Sequence, residues 1–184
     1  MDFPQKKVIL TGFRATGKSS VGKLLAARLA VDFIDMDKVI EEREGRSIRQ
    51  MVAEHGWDYF REKERQLLLE LVGQDNVVIA AGGGAILHKE IWQKLMETGL
   101  AVWLTADLDT ISARLAKDSA TDELRPSLTG EDIHREIGSV LASREPLYRK
   151  GSHIVIDTAE NSLDEIVSLI ERALAGKASQ NRQS

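Results

Sequence analysis

Val8-Ile-Leu-Thr-Gly12-Phe-Arg-Ala-Thr-Gly17-Lys18-Ser19 joins a short apolar run to a complete G-x-x-x-x-G-K-[ST] phosphate loop, and Val21, Leu24, Leu25 and Leu29 then recur at helical spacing. A strand before and a helix after are the context this loop requires. The glycines let consecutive N–H groups turn toward a β-phosphate, and the helix N-terminus adds its partial positive charge. Lys18 can bridge β- and γ-phosphates, and Ser19 can offer its hydroxyl to Mg²⁺. Gly12, Ala15, Thr16, Gly17, Lys18, Ser19 and Ser20 are therefore candidate nucleotide ligands. An ordinary glycine-rich turn is the competing reading. The chain contains no N-K-x-D guanine motif, so ATP is expected over GTP.

Beyond the loop, short apolar runs alternate with helical periodicity. Strands are expected at Val8–Thr11, Asp32–Asp35, Val77–Ala81, Ala101–Thr105 and Ile154–Asp157. Such a βαβα pattern implies an α/β fold, a mostly parallel sheet with helices on both faces and ligands outside the carboxyl ends of the strands. Ser47-Ile-Arg-Gln50, Thr129-Gly-Glu-Asp132 and Ser162-Leu-Asp-Glu165 resemble capping boxes. Two regions exceed a minimal alternation: 37–72, with three helical pieces and no strand, and the polar stretch 117–130. Both read as insertions over the sheet edge, the first for substrate and the second as a mobile lid.

The 184 residues suit one domain, expected over 1–176 with a frayed polar tail at 177–184. A net charge of −4 without a long basic run lacks the footprint of a general nucleic-acid binder. The absence of cysteine removes disulfides, zinc–thiolate sites and cysteine nucleophiles, which suits a reducing compartment. No apolar run reaches the ~18 residues of a membrane span. A cytoplasmic monomer that binds neither nucleic acid nor membrane is expected.

Each strand end then offers chemistry. Asp35-Met-Asp37 closes the second strand; one Asp could merely cap a helix, but beside a phosphate loop Asp35 suits Mg²⁺ and Asp37 an acceptor hydroxyl. Gly82-Gly83-Gly84 follows the third strand, where close backbone approach to a small ligand explains three glycines better than a flexible link. Arg61, Arg125 and Arg144 complete the candidates, although any one arginine taken singly reads as a solvated helix face.

The phosphate loop, Asp35-Met-Asp37 with Gly45-Arg46-Ser47-Ile48 after it, Phe60-Arg61 followed by Glu64, the glycine triplet, Leu124-Arg125-Pro126 and Arg144-Glu-Pro-Leu-Tyr148-Arg149 occur in the order and spacing of shikimate kinases. The chain resembles that family from about Val8 to Leu174. The resemblance implies a P-loop kinase fold of the nucleoside monophosphate kinase type, with a five-stranded parallel sheet, a helical substrate insertion and a lid. It implies transfer of the ATP γ-phosphoryl group to the 3-hydroxyl of shikimate, with Lys18, Asp37 and Arg125 catalytic and Ser19 and Asp35 on Mg²⁺. Asp37, Arg61, Gly83, Gly84 and Arg144 resemble the shikimate-binding set, Arg125 the lid arginine and Arg114 the residue against adenine. One departure is Asn161, where the family often carries an arginine near the adenine.

Another small-metabolite kinase of the same fold, such as a gluconate or nucleoside monophosphate kinase, is the alternative; a nucleotide switch lacks an evident water-positioning Gln. The four histidines show no metal spacing and read as structural. Trp57 is a candidate pocket wall, while Trp92 and Trp103 read as packing. Glu41, Glu42, Arg43 and Glu44 read as a solvated helix face, and Arg14 is left open between acceptor and solvent.

Overall fold

All five expected strands form one parallel sheet in a computed structural model that describes residues 6–117 and 133–180. They are β1 (Lys7–Thr11), β2 (Asp32–Asp35), β3 (Val77–Ala80), β4 (Leu100–Thr105) and β5 (Ile154–Asp157), in the order β2-β3-β1-β4-β5. β1 and β3 are wholly buried, as strands covered on both faces must be, whereas the edge strands β2 and β5 are only partly buried. Ala81 falls just outside β3, yet its N–H still donates to the Leu10 carbonyl (2.9 Å).

The helices are α1 (Lys18–Leu29), α2 (Met36–Glu44), α3 (Ile48–Val72), α4 (Lys89–Thr98), α5 (Leu108–Lys117), α6 (Ile133–Lys150) and α7 (Leu163–Gln180). The period-two alternation of the strands divides the core. Val8, Leu10, Val78, Val102, Leu104 and Ile156 pack on α1 and α7, while Ile9, Val77, Ile79 and Trp103 pack on α2, α3, α4 and Tyr148 of α6. A third cluster joins Phe13 of the phosphate loop to Ile111 and Leu115 of α5 and to Ile137 and Val140 of α6. A variable position of the motif thus anchors the loop.

The expected insertion is helical apart from the turn at 45–47. Its third piece arises because Gly56 (φ 81°, ψ 171°) kinks α3 rather than ending it. Ser47 caps α3 with a full capping box, its side chain accepting from Gln50 N–H while the Gln50 side chain accepts from Ser47 N–H. Ser162 and Glu165 form the corresponding pair before α7. The reading of residues 41–44 as a solvated face holds for Glu42 and Arg43, which are exposed, and is corrected for Glu41 and Glu44, which are half-buried. Glu41 accepts from Ile48 N–H, Arg43 forks onto Glu70, and Glu44 accepts from Tyr59 and pairs with Lys63. These contacts clamp α2 to α3, because the turn at Gly45 folds the polar face of α2 back on its successor. The tail is corrected as well: α7 continues to Gln180, past the expected fraying at 177, since Ala173, Ala175 and Ala178 favour helix and outweigh Gly176. Of the expected lid, Lys117 ends α5; residues 118–130, the box at Thr129–Asp132 and the tail from 181 lie outside the described residues.

Lys7, the first residue of β1, is fully buried and donates to the Leu71 and Val72 carbonyls (2.8 Å each) and to Thr98 Oγ1 (3.2 Å). It satisfies the C-terminal carbonyls of α3 from the face of the sheet on which that helix packs. Burial pushes its ammonium down from the ordinary lysine range, against the opposing pull of Asp75. Lys7→Met should lower stability by about 1–3 kcal/mol, because those buried carbonyls lose their donor. Urea denaturation measures this, and an unchanged midpoint would show that the carbonyls find other donors.

Candidate active site

The loops after β1, β2 and β3 converge at the carboxyl edge of the sheet. β1 opens into Gly12, whose φ of 139° and position, with an added Cβ only 2.2 Å from the Leu104 carbonyl oxygen, admit no other residue. Lys18 extends back across the loop and donates to the carbonyls of Gly12 (2.9 Å) and Phe13 (2.7 Å), while the Thr16 hydroxyl donates to Phe13 (2.8 Å). The ammonium is thereby held against the backbone of its own loop. Ser19, in the first turn of α1, donates to Asp35 Oδ2 at the end of β2 (2.6 Å). A hydroxyl and a carboxylate side by side at the mouth of a phosphate loop are the hard oxygen donors that suit Mg²⁺.

Two cavities meet at Asp37. One is lined by Gly17, Lys18, Ser19, Ser20, Asp35 and Asp37. The other is lined by Asp37, Trp57, Arg61, Gly83, Gly84 and Arg144. Asp37, Arg14 and Ile48 border both. The place of Arg14, left open by sequence, is therefore at the junction between them. Asp37 stands in the first turn of α2, so one short connection from β2 delivers Asp35 to the first cavity and Asp37 to the boundary.

The kink at Gly56 aims the second half of α3 at the glycine triplet. Arg61 lies over the rings of Trp57 (5.4 Å) and Phe60 (5.3 Å) and donates through Nη1 to Glu64 Oε2 (2.6 Å). From the other side, α6 supplies Arg144 Nη1 (3.1 Å) and the Tyr148 hydroxyl (2.6 Å), both donating to the Gly83 carbonyl. Burial holds the Tyr148 phenol above its ordinary range, opposed by Arg144, so it remains a donor at neutral pH. Two of the three glycines have no room for a side chain: a Cβ on Gly82 would stand 2.7 Å from Glu64 Oε1, and one on Gly84 would stand 2.0 Å from Arg61 Nη1, whereas one on Gly83 would make only ordinary contacts. Gly84→Ala should accordingly displace the Arg61 guanidinium and raise the KM for the acceptor at least ~10-fold, the loss of one charge-assisted contact. Steady-state kinetics checks this; an unchanged KM would mean Arg61 can move without consequence.

Of the residues singled out by sequence, the structure brings together the loop, Asp35, Asp37, Arg61, Gly83, Gly84 and Arg144. Arg114 of α5 lies apart from the second cavity, donating to Ala15 O (3.3 Å), Thr158 Oγ1 (2.8 Å) and Thr158 O (2.8 Å), and so ties the phosphate loop to the end of β5. Asn161 donates to the Asp157 carbonyl (2.8 Å) and braces that same connection. Arg125 lies outside the described residues. Sequence reasoning gave no role to Glu64, Tyr148 or Thr158 and read His88 as structural only. Glu64 and Tyr148 were detectable as the i+3 neighbour of Arg61 and the i+4 neighbour of Arg144; His88 and Thr158 carried no such signal.

Residues 14–175 match the family model for shikimate kinase. The chain belongs to the shikimate kinase family. The shikimate kinase of Syntrophus aciditrophicus is 43% identical over 175 residues, covering 91% of this chain and 90% of that protein. The shikimate kinase of Rhodopirellula baltica is 41% identical over 164 residues, covering 89% and 88%. Among solved structures, shikimate kinase from Acinetobacter baumannii in complex with shikimate superposes with a TM-score of 0.86 at 28% identity, covering 95% of this chain and 96% of that one. The family fixes the chemistry as that of an ATP- and Mg²⁺-dependent kinase with the P-loop α/β fold. Trp57, Trp92 and Trp103 take their expected places: Trp57 walls the second cavity, Trp92 donates to Gly151 O (2.8 Å), and Trp103 stacks on Tyr148.

Proposed function

We propose that this chain transfers the γ-phosphoryl group of ATP to the 3-hydroxyl of shikimate, giving shikimate 3-phosphate and ADP. The observation that carries the reading is the second cavity: two guanidiniums, Arg61 and Arg144, stand around a glycine triplet, with Asp37 at the boundary toward the phosphate loop. A small anionic polyol needs that set, cations for its carboxylate at one end and an acceptor carboxylate for its hydroxyls at the other. A nucleobase would have no use for the paired arginines, which disfavours a nucleoside monophosphate acceptor.

In this mechanism Arg61 and Arg144 hold the carboxylate, and Asp37 orients the 3-hydroxyl or takes its proton. Lys18 follows the charge that builds on the transferring phosphoryl group. Ser19 and Asp35 would hold Mg²⁺, which when bound neutralises charge on the β- and γ-phosphates. Arg125 takes the part of the lid arginine that the family resemblance gives it, and Arg114 that of the adenine neighbour. Transfer is direct and in line, with no covalent enzyme intermediate. The enzyme acts as a monomer in the cytoplasm on this reading; no helix among the described residues is long and apolar enough to cross a membrane.

ADP release measured with and without shikimate tests the assignment. Turnover should rise steeply with shikimate and ignore gluconate, and slow release indifferent to both would indicate a switch. The arginines should separate in the same assay: Arg144→Lys, which keeps charge but loses the fork, raises the KM for shikimate, whereas Arg125→Met lowers kcat. Equal effects of both on ATP affinity alone would overturn the division.

A further inference from the structure

Glu64 is 1% exposed, and its charge must be compensated inside the protein. One oxygen carries both contacts: Glu64 Oε2 accepts from Arg61 Nη1 at 2.6 Å and stands 3.1 Å from His88 Nε2. The other, Glu64 Oε1, is buried without a hydrogen-bond partner among the described residues and faces Gly82. Arg61 therefore touches Glu64 through a single nitrogen, although a guanidinium beside a carboxylate ordinarily takes both oxygens as a fork. His88 occupies the connection between the glycine triplet and α4, 14% exposed, and its ring reaches the same Glu64 oxygen on α3 that Arg61 touches. Gly82 closes the third side, with room for no Cβ next to Oε1.

We propose that His88 is a positioning residue for the acceptor site, acting through Glu64 on Arg61. By donating Nε2–H to Oε2, His88 holds the Glu64 carboxylate in the rotamer that offers Arg61 one oxygen only. The rest of the Arg61 fork is thereby left for the carboxylate of the acceptor, which the function proposed above places there and on which this inference rests. Without the imidazole, the Glu64 carboxylate turns until both oxygens engage Arg61, and the acceptor must compete with an internal carboxylate for the same guanidinium. His88 lines neither cavity, so its effect is confined to acceptor binding. Its backbone carbonyl caps the first turn of α4 by accepting from Trp92 N–H (2.9 Å), a contact that substitution of the side chain retains.

Steady-state kinetics of His88→Ala, His88→Gln and Arg61→Met, with thermal melts of each, test the idea. His88→Ala should raise the KM for shikimate about 3–10-fold, the size of one hydrogen bond to a charged group, with kcat and the KM for ATP unchanged. His88→Gln, which can again donate to Glu64, should restore most of the loss. If Arg61→Met raises the KM for shikimate and His88→Ala does not, His88 has no positioning role. A loss in His88→Ala that appears equally in kcat, ATP KM and melting temperature, without rescue by Gln, would make His88 structural only. If Arg61→Met leaves the KM for shikimate unchanged, the placement of the acceptor carboxylate itself is wrong.

Discussion

Asp37→Asn is expected to lower kcat by about 10²–10⁴-fold, the range for loss of a positioned general base, with the fold and the KM for ATP intact. The reason lies in where the carboxylate stands. Asp37 borders both the cavity of the phosphate loop and the cavity of Arg61 and Arg144, so a hydroxyl in the second is presented to a phosphoryl group in the first beside this side chain. Asn keeps the shape and can still orient the hydroxyl, but it cannot receive a proton. Melting temperature and rapid-quench transfer measured together check the prediction. A variant with ordinary turnover would exclude Asp37 as the base and leave it an orienting role only, and one that melts early would place it in the scaffold.

Lys18→Met should cost about 10²–10³-fold in kcat, comparable to removing one preorganised donor from a charge-stabilising site. The ammonium is held by the Gly12 and Phe13 carbonyls within the loop, so little reorganisation is needed when it moves onto the transferring group. Met preserves length and removes both the charge and those two contacts. The two predictions differ in their reach: loss of Lys18 should also slow the basal release of ADP without acceptor, whereas loss of Asp37 should not. If basal and acceptor-dependent rates fall alike in both variants, the division between phosphate and hydroxyl roles is wrong.

The environment of the arginines explains why single substitutions in the acceptor pocket will not be independent. Gly84 touches the Arg61 guanidinium, Arg61 touches Glu64, and Gly83 accepts from both Arg144 and Tyr148. Neighbours that share partners show coupling energies of about 0.5–3 kcal/mol, so double variants across this chain will depart from additivity.

What the amino-acid sequence determined by itself is local. The five strands, the phosphate loop and the capping boxes at Ser47 and Ser162 depend on periodicities and contacts within a few residues, and each appears in the structure within a residue or so of its expected bounds. Asp35 and Asp37 were legible for the same reason, since a strand end followed at once by a helix sends the two to adjacent positions. The arginines were different. Spacing alone could not separate Arg61 and Arg144 from a solvated face; only the family resemblance selected them, and packing supplies the reason. Arg61 is aimed by the kink at Gly56, and Arg144 meets Gly83 from a helix 61 residues further along the chain. Glu41 and Glu44 read as solvent-facing until α2 folded back on α3. Lys7, Glu64 and His88 are polar residues whose partners lie 24 to 91 positions away apart from the Arg61–Glu64 pair, and no local pattern announces them. Tertiary structure decided these because the cost of burying a charge is met only by whatever group the fold brings opposite it.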